Sequence, residues 1–126
     1  MFVRYANQPE EIEILTGAEG FLELSKKLLE DGAVIPCQES GMDVAPYSKF
    51  LRSIVVQFSA GRPAEIQVVS GETLSITGDQ AALRILSSTL ANFARDWTKG
   101  EHVHIEYYDG HPSLSPESVP VVLTHL

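Results

Sequence analysis

The stretch GEHVHIEYYDGHPSL, residues 100–114, gathers the side chains of this sequence best suited to chemistry. His102 and His104 stand two apart, Glu106 follows at the same interval, and His111 lies just past the Asp109-Gly110 turn signal. Two imidazoles at i and i+2 of a strand can share one divalent cation, with the carboxylate as a third ligand. That arrangement would serve a metal-dependent enzyme. The same spacing also describes an ordinary half-wet strand, with Val103, Ile105 and Tyr107 facing a core and His102, His104, Glu106 and Tyr108 facing out. Without a second coordinating cluster, no metal and no cofactor is assigned. We read His102, His104, Glu106, Tyr108 and His111 as a surface for a protein partner.

Other chemistry is thin, and no catalytic residue is assigned. No Gly-rich phosphate loop is present, because Gly71 and Gly78 lie too far apart and no Gly-Lys-Ser/Thr follows them. No serine sits in a Gly-x-Ser-x-Gly context; Ser113, Ser115 and Ser118 flank prolines in a loop. The single cysteine, Cys37, lies between Pro36 and Gln38 without a nearby histidine to activate it, and it excludes an intrachain disulfide.

The elements that must position these groups can be read from period and punctuation. EIEIL (11–15) alternates acidic and apolar residues as a one-face-buried strand does. After Thr16-Gly17, Phe21, Leu22, Leu24, Leu28 and Leu29 recur at helical spacing between Glu19 and Glu30, and Asp31-Gly32 stops the helix. Residues 33–50 read as a long loop, a feature that in a small chain is often functional. SIVVQFS (53–59), AEIQVVS (64–70) and TLSIT (73–77) read as an antiparallel meander. A second helix runs from about Asp79 to Trp97 with Leu83, Leu86, Leu90 and Phe93 on one stripe, a capping Thr77 or Asp79, and a stop at Lys99-Gly100. VHIEYY (103–108) and VPVVLTHL (119–126) are the last strands, with Pro120 near the start of the second.

Shifting the chain by 61 residues superposes Thr16 on Thr77, Gly17 on Gly78, Leu22 on Leu83, Leu29 on Leu90 and Ala33 on Ala94. Each half, 11–70 and 73–126, then reads strand, Thr-Gly, helix, strand, strand. A duplicated βαββ unit and convergent strand-to-helix chemistry both give this pattern. The expected architecture is one α+β domain over residues 1–126: two layers, one mostly antiparallel sheet with two helices on one face.

With 126 residues, roughly 65% or more of the unfolded surface can be buried and no disulfide or metal staple is needed. The balance of 9 Lys+Arg against 17 Asp+Glu gives a net charge of −8. That sign disfavours nucleic acid and anionic lipid as ligands and favours a basic protein partner. No apolar run approaches the ~18 residues of a membrane span, and the N-terminus lacks the pattern of a secretory signal, so a cytoplasmic location is expected.

The run SITGDQAALRILSSTLANFA, then HVHIEYY, then LSPESVPVVL resembles the immunity protein 32 family of bacterial polymorphic-toxin systems. Ile76, Gly78, Leu83, Leu86, Leu90, Ala94, His102, His104, Ser118 and Val121 carry the resemblance, which covers about residues 73–126. It implies a non-enzymatic cytoplasmic protein that binds and neutralises a cognate toxin. The contact regions expected are the His102, His104, Glu106 face and the 36–50 loop. Two alternatives stand beside it: a metal-dependent enzyme on the same strand, and a homo-oligomerising module in which an open sheet face with Val55 and Val69 pairs with itself as a homodimer.

Overall fold

The computed structural model describes residues 1–126 except Trp97 and Lys99. The expected end of the second helix at about Trp97 and its stop at Lys99 therefore lie outside the described residues. The elements in chain order are β1 (Phe2–Asn7), β2 (Glu10–Thr16), α1 (Ala18–Lys27), β3 (Val34–Pro36), β4 (Lys49–Phe50), β5 (Ser53–Phe58), β6 (Glu65–Val69), β7 (Thr73–Gly78), α2 (Gln80–Arg95), β8 (His102–Ile105) and β9 (Val121–His125).

The class is α+β with mostly antiparallel pairing, as expected, and its strands are divided between two sheets. Sheet A has the order β4-β1-β2-β9-β8 and sheet B the order β3-β5-β7-β6. Each sheet combines strands from both halves of the chain. In sheet A the β1–β2 hairpin pairs in parallel with β9, which pairs antiparallel with β8. In sheet B the β6–β7 hairpin pairs in parallel with β5, which pairs antiparallel with β3. The same pattern thus occurs twice, with α1 carrying the chain from sheet A to sheet B and α2 carrying it back.

The expected meander is corrected here. β6 and β7 form a hairpin, but β5 lies on the far side of β7 and runs parallel to it, with Ile54 opposite Leu74 and Val56 opposite Ile76. The Gly61-Arg62-Pro63 turn therefore crosses the end of β7 instead of closing a hairpin. Gly78 makes this crossing feasible. Its φ is +154°, and a Cβ there would stand 2.9 Å from the Ala64 Cα. The 33–50 segment also contains more structure than a loop: β3 pairs with β5, and β4 pairs with β1.

Both helices follow from their apolar spacing. On α1, Phe21, Leu24 and, just past its end, Leu28 are fully buried, while Leu29 turns to solvent. On α2, Leu83, Leu86, Leu90 and Phe93 are buried, and Asp79 caps the start by accepting from the Ala82 N–H at 2.8 Å. The helices pack on each other closely enough for the Ser87 hydroxyl to donate to the Ser25 carbonyl at 2.7 Å. Phe21 and Phe93 meet edge to face, 5.1 Å between centroids. Ile12, Ile14, Val121 and Leu123 of sheet A and Ile54, Val56, Ile66, Leu74 and Ile76 of sheet B join the helices in one buried cluster.

Candidate functional site

Strand register decides which way the histidines of β8 point. Val103 lies beside Leu123, which lies beside Ile14 and, through it, Val3, so this row faces the core. The neighbouring row runs His104, Val122, Glu13, Arg4, Phe50 across all five strands of sheet A. His102 belongs to the parallel row with Thr124, Leu15 and Phe2. Both histidines therefore stand on the outer face, exposed, with ring centroids 5.7 Å apart. The alternation read from the sequence holds over His102–Ile105. β8 ends at Ile105, so Tyr107 and Tyr108 lie in the following loop.

That loop brings the remaining candidates together. His104, Glu106, Tyr108 and His111 line one surface cleft of about 270 Å³, walled on the other side by Ile85 and Thr89 of α2 and floored by Ile105 and Leu114. Tyr108 is 59% exposed and Ile85 48%, so two large apolar surfaces flank the opening. His102 is not part of this cleft. The Tyr108 and His111 rings meet at a tilt of 49°, 4.6 Å between centroids. His111 Nδ1 accepts from the backbone N–H groups of Ser113 and Leu114, at 3.1 and 3.0 Å. Those two bonds fix the ring as the cap of its turn and leave Nε2 to carry the proton of a neutral imidazole. Among the described residues, no group of three or more His, Cys, Asp or Glu side chains is arranged to hold a metal ion.

The 36–50 segment lies at the opposite end of the same outer face. The Ser48 N–H bonds to Tyr5, and the Leu51 N–H to Val3. Arg4 projects beneath the segment and donates through Nη1 to the carbonyls of Asp43 and Ala45, at 3.2 and 3.0 Å. Its Nε donates to Glu13 Oε1 at 2.7 Å, and Glu13 Oε2 accepts from the Thr124 hydroxyl at 2.8 Å. Tyr47 lies over the Arg4 guanidinium at 4.9 Å and donates to Glu11 at 2.6 Å. Burial, with the Glu11 hydrogen bond next, pushes the Tyr47 phenol well above its ordinary range. Burial pushes the Cys37 thiol up to about 11, so it is a poor nucleophile at neutral pH.

Two features escaped the sequence reading. The buried Arg4–Glu13 pair has no local signature beyond opposite charges on neighbouring strands. His125 is 2% exposed, its ring 5.8 Å from that of Phe21 and 5.9 Å from that of Phe93. The alternation of Val121, Leu123 and His125 in the last strand was the signal that it points inward.

Val55 and Val69 do lie on one outer face, that of sheet B, where register intersperses them with Ser53, Ser75 and Thr73. Among the described residues, no helix is long and apolar enough to cross a membrane. No curated protein and no solved structure matches the chain. Residues 73–126, the segment that includes β8, its loop and α2, match the family model described as Immunity protein 32.

Proposed function

We propose that this protein neutralises a cognate toxin by binding it, using the cleft lined by His104, Glu106, Tyr108 and His111 together with the adjoining His102. The family match implies an immunity protein and hence a protein partner. The observation that carries the site is coincidence in the chain: every lining residue of the cleft except Ala64 belongs to the matched segment. The cleft also has the composition of a docking surface, with an apolar floor and aromatic and aliphatic flanks inside a polar rim.

The partner's chemistry is read from charge. The chain carries −8, and its sequence has no Lys or Arg after Lys99, while Glu101, Glu106, Asp109 and Glu117 crowd that end. A basic toxin domain would be steered to this surface, and its active face occluded by contact alone, without catalysis by the immunity protein. The 36–50 segment, on the same outer face across roughly 19 Å of sheet, is a second contact region for a toxin broad enough to reach it. The proposed compartment is the cytoplasm, where a toxin acting on its own producer would be met.

The test is to capture the partner from the native cells, then express it in a susceptible host with and without this chain. Wild type should restore growth, and Tyr108→Ala/His111→Ala should fold but protect poorly. A captured partner that is harmless on its own, or protection unchanged by the double variant, would overturn the function or the site respectively.

A further inference from the structure

β8 is the outermost strand of sheet A, and among the described residues no segment hydrogen-bonds along its outer edge. The other end of sheet A is capped by β4 and the segment before it. The β6 end of sheet B is covered by residues 113–119, through the Ala64 N–H to Ser113, the Ser115 N–H to Ala64, and the Val119 N–H to Ile66. The β3 end is three residues long and includes Pro36, which has no N–H to offer. β8 has no proline and no lysine, two common devices that keep an edge from pairing.

The edge it presents is defined. The His125 N–H bonds to the Glu101 carbonyl, so Glu101, and by alternation Val103 and Ile105, turn their backbone groups toward β9. The N–H and C=O groups of His102 and His104 point outward. The side-chain pattern along this edge is complementary to itself. In an antiparallel pairing centred on His104, Val103 falls opposite Ile105 within the strands, and His102 falls opposite Glu106, the exposed residue just past the strand's end. The His102–Glu106 and Val103–Ile105 pairs each occur twice, imidazole with carboxylate and aliphatic with aliphatic, while His104 meets its own counterpart once at the centre.

We propose that this chain associates with a second copy of itself by antiparallel pairing of β8 with β8, centred on His104, so that His102 of each copy meets Glu106 of the other. The result is one ten-stranded sheet built from two copies of sheet A. The interface uses His104 and Glu106, which also line the toxin cleft, so dimer and toxin complex compete and dilution or toxin releases the monomer.

Sedimentation velocity across a concentration series tests this on the intact chain. It needs no toxin, so a negative result leaves the proposed function standing. Wild type should pass from monomer to dimer as concentration rises. His102→Glu sets carboxylate against carboxylate twice and should weaken the dimer about tenfold. Adding Glu106→His to it restores the opposed pairs and should restore association. His104→Pro removes the central N–H and should abolish it. The side chains of His102, His104 and Glu106 are all exposed, and circular dichroism checks the fold of each variant. Wild type that stays monomeric, a dimer indifferent to His102→Glu, or a swap that fails to rescue overturns the proposal. So does a dimer lost with Val55→Glu instead, which would point to the outer face of sheet B.

Discussion

Arg4 and Glu13 face each other across the β1–β2 pair, both nearly buried, on the outer face of sheet A. The 36–50 segment folds over them, and the guanidinium divides its donors between the carboxylate and the segment's carbonyls. The ion pair therefore ties a long connection to the sheet, and through Thr124 it reaches β9 as well.

Breaking this pair should be costly, because the surviving charge would stay buried. Glu13→Ala is expected to destabilise the fold by about 3 kcal/mol. Glu30→Ala, which breaks the exposed Lys27–Glu30 pair, should cost under about 0.5 kcal/mol. Urea unfolding of both variants measures the difference. In Glu13→Ala the amide of Ser48 should also lose protection against hydrogen exchange.

The histidines should separate into two classes. His125→Ala empties a site between Phe21 and Phe93 and should cost about 2–4 kcal/mol. His102→Ala and His104→Ala remove exposed rings and should fall within about 0.5 kcal/mol of wild type. Thermal unfolding of the three variants checks this, and equal losses in all three would contradict the placement of β8.

Alkaline pH should weaken the fold. The Cys37 thiol, at about 11, lies above its ordinary value of 9.0 chiefly through burial, so the folded state holds that proton more tightly than the unfolded chain. Its contribution is complete below the unfolded value and is lost as pH climbs from about 9 to about 11; Tyr47 acts in the same direction at higher pH. At pH 8, alkylation of Cys37 should be roughly a hundredfold slower in the native protein than in the urea-unfolded chain. Equal rates would show the thiol to be open.

Neither half of the chain should fold alone. Residues 1–60 contain β1, β2 and β5 but lack β7 and β9, the parallel partners of β5 and β2. Residues 61–126 lack β2 and β5. Each fragment should be largely unstructured by circular dichroism, and an equimolar mixture should recover helix and strand signal. A folded isolated fragment would contradict the interleaved sheets.

By itself the sequence determined the features that depend on near neighbours. The alternation of EIEIL, the three- and four-residue spacing from Leu83 to Phe93, the Asp79 cap and the turn at Asp109-Gly110 all act within a few residues, and they locate β2, α2 and the start of the β8 loop. The outward direction of His102 and His104 followed from the same two-residue period. Tertiary structure decided the rest. That β5 pairs with β7 and not β6 depends on a close pass of Gly78 over Ala64, contacts fourteen positions apart whose space no local pattern encodes. That Tyr108 and His111 meet Ile85 across one cleft depends on where α2 packs. The burial of Arg4 and Glu13 depends on a segment more than thirty residues away folding back over them. Period-two and period-3.6 patterns specify which face of an element is apolar; which element covers that face is settled by long-range register, which those periods leave open.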